Sequence, residues 1–320
     1  MSSDPNPSPR YHDRSRLERL WQREVEVFRR ARPESERLWR EATPHMADGV
    51  PMLWMAKWPG PWPVYVTDAA GASFTCVDGI EHVDLCLGDT GAMCGHAPAA
   101  SVAAISARLA AGSTFMLPTA DAAAAAQMLA ERFRVPSWQF ALSATDANRS
   151  LIRYARQVTG RPKIAVHDFC YHGTVDEAYA TLDESGAVVE RRGTIGAPVP
   201  PSLTTAVVPF NDVQALEAAL STGDIAAFLI EPALTNIYHE AVRELCTRYG
   251  VILIIDETHT FSAGAGGMTT ADDLHPDAVV IGKSIGGGIP AGAYGMTAEF
   301  AAAVRASIDL EDIDVGGVGG

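Results

Sequence analysis

Three short segments carry side chains that could do chemistry, and each directly follows an apolar run that predicts a buried strand. Ser143, Ala144 and Thr145 lie between one such strand and a predicted helix. A helix N-terminus offers free backbone N–H groups and a partial positive charge, so these residues could bind a phosphate group. They could equally be an ordinary helix cap, since serine and threonine are common at that position.

The other two segments supply one acid and one amine. Asp256 follows the apolar residues 251–255, whereas Lys283 follows the apolar residues 278–281 and precedes the three glycines 286–288. A carboxylate at the mouth of a sheet needs a cationic partner, and glycines let the backbone approach a ligand closely. Taken singly, each of the two residues could be half of an ion pair at the rim, with the other as its partner.

Taken together, the three segments fit one ligand. The helix N-terminus would bind a phosphate, Asp256 would bind a basic ring nitrogen, and the amine of Lys283 would react with an aldehyde. Pyridoxal phosphate has all three groups. The sequence therefore predicts a site for this cofactor.

Other motifs compete for some of the same residues. Residues 282–284 match the end of a nucleotide-binding phosphate loop, but the first glycine of that loop is replaced by Asp277. Residues 282–286 match a Gly-x-Ser-x-Gly nucleophile elbow, yet the glycines and the proline that follow are poor helix formers. His167 and His172 lack further ligands, so no metal site is predicted.

The elements that must position these residues alternate between strand and helix. Short apolar strands separated by helices are typical of an α/β fold, with a parallel or mixed sheet covered on both faces. Such sheets bind ligands at the carboxyl ends of their strands. The strands are predicted at residues 138–142, 164–167, 226–230, 251–255 and 278–281, and the helices between them at residues 146–158 and 238–249.

The N-terminal part of the chain has a different pattern. Residues 11–46 predict one or two amphipathic helices, residues 64–77 a small β-meander, and residues 99–111 and 120–133 two alanine-rich helices. Residues 1–10 are rich in Ser, Pro and Asn, which predicts a disordered tail and not a signal peptide.

Composition excludes several classes of protein. The 320 residues include 25 basic and 39 acidic side chains, a formal charge of −14, so no nucleic-acid partner is expected. No apolar run reaches the ~20 residues that a membrane span needs, so no membrane partner is expected either. The five cysteines show no Cys-x-x-Cys spacing, which disfavours a disulfide framework and a zinc site. We expect a cytoplasmic protein.

Motifs from about residue 64 to residue 300 resemble the class III aminotransferases of fold type I, the group that includes glutamate-1-semialdehyde aminomutase. The motifs are Gly-Asp-Thr-Gly-Ala-Met-Cys-Gly-His at 88–96, Ser-Ala-Thr-Asp-Ala-Asn at 143–148, Tyr-His-Gly at 171–173, Glu-Pro at 231–232, Ile-Asp-Glu at 255–257 and Gly-Lys-Ser-Ile-Gly-Gly-Gly-Ile-Pro at 282–290. The resemblance implies a mixed, mostly parallel seven-stranded sheet in a large cofactor-binding domain, residues 81–320. Residues 1–80 would hold the tail, the first helices and the first segment of a smaller α+β domain.

The resemblance also implies roles for individual residues. Lys283 would hold the cofactor through its aldehyde and later move a proton, and Asp256 would keep the pyridine nitrogen protonated. Tyr171 would stack on the ring. Further implied contacts are the phosphate for Ser143, Ala144 and Thr145, the cofactor for His172, the ring hydroxyl or edge for Asn236 and His259, and the substrate for Trp54 and Glu231.

The chain departs from the family pattern at three places. Ala144 replaces the usual glycine and adds a methyl group near the phosphate. The interval from Glu231 to Asp256 is shorter than the family pattern by several residues, in the loop after Asn236. The family normally continues beyond Gly320 into most of the small domain, so we expect the sequence to be part of a longer protein.

The implied function is transfer of an amino group from a small amine or amino acid to a keto acid, ketone or aldehyde, by a homodimer with shared active sites. An aminomutase that moves an amino group within one molecule would use the same residues. A non-catalytic aminotransferase-like binding protein is a weaker alternative, because Lys283 and Asp256 are both present.

Overall fold

The computed structural model describes residues 13–232 and 236–307, which fall into two compact units. One unit holds the residues up to Asp89 together with Met93–Ala99, and the other holds Thr90–Ala92 and the residues from Ala100 onward. The tail predicted at residues 1–10 and the chain end at Gly320 lie outside the described residues. The domain boundary predicted after residue 80 stays a prediction.

The first unit contains two helices and a small sheet. Its helices are α1 (Arg14–Ala31) and α2 (Pro33–Ala42), and its three antiparallel strands, in the order β1-β2-β3, are β1 (Val66–Ala70), β2 (Ser73–Cys76) and β3 (Glu81–Val83). Asp78, between β2 and β3, links the small sheet to α2. Its carboxylate accepts hydrogen bonds from the backbone N–H of Glu34 (2.7 Å) and the hydroxyl of Ser35 (2.5 Å) at the start of that helix. The predicted meander is therefore present.

The second unit is built on a seven-stranded sheet with the order β4-β12-β11-β10-β9-β5-β8. Only β12 runs antiparallel to its neighbours, so the sheet is mixed and mostly parallel as expected. Its strands are β4 (Ser137–Ala141), β5 (Lys163–His167), β8 (Thr205–Val208), β9 (Ile225–Ile230), β10 (Ile252–Asp256), β11 (Ala278–Ile281) and β12 (Gly292–Met296), and a separate hairpin pairs β6 (Ala180–Leu182) with β7 (Val188–Glu190).

Helices cover both faces of this sheet. Leu151 of α5 and Phe300 of α9 pack into the apolar cluster on one face, and Leu216 of α6 and Leu245 of α7 pack into the cluster on the other. The helices of the unit are α3 (Ala99–Ala110), α4 (Ala120–Phe133), α5 (Ala144–Thr159), α6 (Val213–Leu220), α7 (Asn236–Tyr249), α8 (Gly267–Ala271) and α9 (Ala298–Ser307). Within the described ranges, no helix is long and apolar enough to cross a membrane.

The predicted strands and helices are all present within a few residues, but several further elements were not predicted. Strand β12 contains Gly292 and Gly295, and glycine is unfavourable in strands. A Cβ atom at position 295 would lie 2.7 Å from the ring of Trp138, so the tight packing of that ring requires glycine there. Others are the hairpin strands β6 and β7, the strand β8, which follows a proline-rich stretch, and the helices α6, α8 and α9.

Candidate active site

A cavity of about 250 Å³ opens at the carboxyl ends of the central strands. Eight of the residues that the sequence predicted for the site line it together, which are Ser143, Ala144, Thr145, Tyr171, Glu231, Asp256, His259 and Lys283. A larger cavity of about 740 Å³ lies at the amino ends of the strands, beside Gly250 and Asp277, and none of these eight residues lines it. The smaller cavity is therefore the candidate active site.

Asp256 ends strand β10 and is almost completely buried. Its Oδ2 atom accepts hydrogen bonds from Asn148 Nδ2 (2.9 Å) and from Nδ1 of the fully buried His172 (3.0 Å). Its Oδ1 atom accepts a hydrogen bond from the backbone N–H of Thr258 (3.0 Å). These three hydrogen bonds fix the orientation of the carboxylate.

The same hydrogen bonds also determine the charges of Asp256 and His172. Burial by itself would raise the pKa of Asp256, but the hydrogen bond and positive charge of His172, with the bonds from Thr258 and Asn148, lower that pKa below its ordinary value. Burial would lower the pKa of His172, yet its hydrogen bond to Asp256, with smaller effects of Cys170, raises the pKa to about 10. Near neutral pH the two residues form a buried carboxylate–imidazolium pair.

The phosphate cradle predicted at residues 143–145 is the first turn of α5. Ser143 caps this helix, because its Oγ accepts a hydrogen bond from the backbone N–H of Asp146 (3.2 Å) and donates one to the Asp146 carboxylate (2.8 Å). The first N–H groups of a helix have no acceptor within the helix and are available to an anion. Because Asp146 uses the serine side chain, the phosphate would be bound mainly by backbone groups and Thr145.

Three glycines pack tightly around this turn. A Cβ atom at Gly173 would lie 2.0 Å from Thr145 Oγ1, and one at Gly292 would lie 2.3 Å from the carbonyl oxygen of Ser143. A Cβ atom at Gly282 would lie 2.8 Å from the Cβ of Ala144. The methyl group that Ala144 adds to the family pattern therefore packs against the backbone of the segment that leads into Lys283.

Lys283 lines the cavity from an unusual backbone conformation. It follows β11 at the start of a short 3-10 helix, Lys283–Gly286, and its φ angle is +54°. A left-handed conformation is rare for residues other than glycine and costs of order 1–3 kcal/mol, and such strain clusters at functional sites. The conformation supports a functional role for Lys283 beyond that of a rim ion pair.

The remaining predicted residues fall into three groups. Tyr171 and His259 line the cavity with exposed side chains, and Glu231 lines it half-buried. His172 lies behind Asp256 and is not among the residues that line the cavity. Asn236 begins α7, but its side chain lies outside the described part of the structure, and Trp54 belongs to the 3-10 helix Leu53–Lys57 of the first unit, so their roles stay predictions.

Two residues of the site were assigned no role from the sequence. Asn148 lies one helical turn after Ala144, on the α5 face that meets the sheet, and this helical spacing is the signal that could have identified it. Thr258 lines the cavity and holds Asp256 through its backbone N–H. A contact made by a backbone N–H does not depend on the type of side chain, so the sequence could not predict it.

Residues 54–308 match the class-III aminotransferase family. The chain belongs to this family, whose cofactor is pyridoxal 5′-phosphate.

Curated relatives include the glutamate-1-semialdehyde 2,1-aminomutase of Nitratidesulfovibrio vulgaris, 34% identical over 250 residues that make up 74% of this chain and 59% of the relative. The same enzyme of Sulfurihydrogenibium azorense is 34% identical over 275 residues, which are 82% of this chain and 64% of the relative. The chain thus spans about six-tenths of the length of these relatives.

Solved structures with the same fold include a glutamate-1-semialdehyde aminomutase from Pseudomonas aeruginosa PAO1. It is 42% identical, with a TM-score of 0.91, and the match covers 96% of this chain and 70% of that one. A lysine-to-alanine variant of that enzyme was solved in complex with PMP. An omega-transaminase from Sphaerobacter thermophilus is 32% identical, with a TM-score of 0.78 over 83% of this chain and 64% of that one.

The residues of the cavity fit pyridoxal phosphate. The glycines around the first turn of α5 leave its N–H groups in a cradle that any Cβ at Gly173 or Gly292 would distort. The low pKa of Asp256 keeps an ionised carboxylate beside the cavity, as a protonated ring nitrogen requires. Lys283 supplies the amine from the same cavity.

Proposed function

We propose that the protein is a glutamate-1-semialdehyde 2,1-aminomutase, an enzyme that moves an amino group within one molecule. The main support for the proposal is the 42% identity to such an aminomutase over 96% of the chain. The cavity that holds both Lys283 and Asp256 is consistent with it. This substrate carries an aldehyde at C1 and an amino group at C2. Moving the amino group to C1 leaves a ketone at C2, so the product is 5-amino-4-oxopentanoate, an isomer of the substrate.

The chemistry that the cofactor supplies when bound is stabilisation of negative charge on the carbon that loses a proton. Asp256, held by His172 and Asn148, keeps the ring nitrogen protonated, so the ring can accept that charge. Lys283 moves the proton at the reacting carbon, which requires its amine to be neutral for part of the cycle. Tyr171 would pack on the ring, and His259 would lie near the ring hydroxyl or edge.

The first turn of α5 anchors the phosphate through backbone N–H groups. These groups would hold the cofactor in place independently of Lys283. Within this proposal the protein acts on small molecules only, and it works as a homodimer with shared active sites.

An aminotransferase that acts between two molecules is the second candidate. It is favoured by the similarity to the omega-transaminase and by a β-phenylalanine aminotransferase from Variovorax paradoxus, 25% identical with a TM-score of 0.78. Both candidates use the same residues. They differ in whether a separate amino acceptor is consumed.

One experiment separates them. The purified holoenzyme is given glutamate 1-semialdehyde as its only substrate, and the product is followed by mass spectrometry and NMR, with Lys283→Ala as the control. An aminomutase converts the substrate to 5-amino-4-oxopentanoate over many turnovers without a keto acid. If conversion stops after about one turnover per site and resumes when a keto acid is added, the protein is an aminotransferase.

A further inference from the structure

The candidate site holds a second carboxylate beside Asp256. Glu231 follows the last residue of β9, and Asp256 is the last residue of the neighbouring parallel strand β10. Ile230 is paired in register with Ile255, so the backbone of Glu231 leaves β9 beside Asp256 at the end of β10. Both residues line the cavity.

The two carboxylates have different partners. Asp256 is buried and accepts three hydrogen bonds, including one from the charged His172. Glu231 is half-buried and accepts one long hydrogen bond from the backbone N–H of Tyr171 (3.5 Å), and none of the ion pairs formed by the described residues includes it. A partly desolvated carboxylate with so weak a partner favours a cationic ligand.

The chemistry of an aminomutase supplies such a ligand. If an amino group reaches C1 before the original amino group leaves C2, one stage of the reaction holds a molecule with amino groups on adjacent carbons. While one of them reacts, the other is a free ammonium. In the opposite order, the molecule would carry two carbonyl groups and no cation.

We propose that Glu231 binds the second ammonium of a vicinal diamine and thereby retains the diamine until it is converted to product. This inference rests on the proposed aminomutase function.

The test compares two probes that share a carbon skeleton. Propane-1,2-diamine and 1-aminopropan-2-ol are titrated into the wild-type holoenzyme, and equilibrium binding is followed by the visible spectrum of the cofactor and by calorimetry. The wild type is expected to bind the diamine at least about tenfold more tightly than the amino alcohol, since a charge-assisted hydrogen bond is replaced by a neutral one. Glu231→Gln is expected to abolish that preference, and Glu231→Asp to restore part of it.

Glu217→Gln is the matched control, since Glu217 pairs with Arg248 on the surface. It is expected to keep the wild-type preference. A wild type without preference, or a Glu231→Gln variant that keeps it, overturns the proposal. Loss of pyridoxamine 5′-phosphate binding in both Glu231 variants would also overturn it, because it would show that Glu231 only maintains the shape of the site.

The binding test does not use glutamate 1-semialdehyde, so its outcome is separate from that of the proposed function. With that substrate, a second readout is the amount of free 4,5-diaminopentanoate in solution. Glu231→Gln is expected to release at least about tenfold more of it per turnover than the wild type. Equal release by the two proteins contradicts a role of Glu231 in retaining the diamine.

Discussion

The two sides of the candidate active site differ in how firmly their residues are held. On one side, Asp256 accepts three hydrogen bonds, and its partners Asn148 and His172 are almost fully buried. On the other side, Tyr171 is 53% exposed and Lys283 is only partly buried. The side that would contact the ring nitrogen is therefore organised before a ligand binds, whereas the side that would meet the substrate is more exposed.

Among the substitutions that test this difference, Lys283→Ala is expected to have the largest effect on activity. The variant should have no measurable turnover, because the amine that reacts and moves the proton is gone. It should still bind the cofactor, since the first turn of α5 and Asp256 remain in place. Activity assays and calorimetry with pyridoxamine 5′-phosphate measure the two properties separately.

Borohydride reduction provides the check on this assignment. In the wild type, reduction should fix the cofactor to Lys283, and peptide mass spectrometry should find the added mass on that residue. Transamination or isomerisation near the wild-type rate by Lys283→Ala would show that the assignment is wrong.

Asp256→Asn tests the firmly held side. The neutral amide cannot hold the proton on the ring nitrogen, so the rate of the first half-reaction should fall by roughly 10² or more, as expected for the loss of one preorganised electrostatic partner. The variant should remain folded, because Asn has the same shape and can keep the bond from Thr258. Stopped-flow half-reactions and circular dichroism provide the measurements, and an unchanged rate contradicts the role of Asp256.

The sequence predicted the residues that line the cavity better than the residues that hold Asp256 in place. Lys283, Asp256 and the turn at residues 143–145 were recognised because each directly follows an apolar strand, and strand ends meet at one edge of an α/β sheet. The same reasoning located strands β4, β5, β9, β10 and β11 to within a few residues.

What was not predictable depends on contacts between distant parts of the chain. The cofactor contact predicted for His172 stays a prediction, but its hydrogen bond to Asp256, which is far away in sequence, could not be predicted. Strand β12 was missed because its glycines are required by distant residues, Gly295 by the ring of Trp138 and Gly292 by the backbone of Ser143. Neither periodicity nor local propensity contains that information.

Gly173→Ala tests how closely the phosphate cradle is packed, and its effect should be smaller. The new methyl group would lie 2.0 Å from Thr145 Oγ1, so the first turn of α5 has to shift and affinity for pyridoxamine 5′-phosphate should fall about tenfold. Gly186→Ala is the matched control, because Gly186 has a similar φ angle (+80° against +75°) and nothing within 4 Å of its Cβ position. Equal losses in the two variants would mean that backbone strain, and not the cradle, causes the effect.

The last prediction concerns not activity or cofactor affinity but the stability that the Asp256–His172 pair contributes. The pKa of His172 is raised from its ordinary 6.5 to about 10, so the imidazolium stabilises the folded protein fully below pH 6.5, and this stabilisation is lost as the pH rises through 10. The lowered pKa of Asp256 acts in the acid range and does not affect the stability between pH 6.5 and 10.

The variant His172→Asn keeps a hydrogen-bond donor for Asp256 but removes the titrating charge. Urea unfolding of the cofactor-free protein should therefore show a free energy of unfolding that falls more steeply between pH 7 and 10 in the wild type than in His172→Asn. Because the other titrating groups are common to both proteins, parallel profiles would show that His172 is neutral in the folded state and that the firmly held side of the site lacks its buried charge pair.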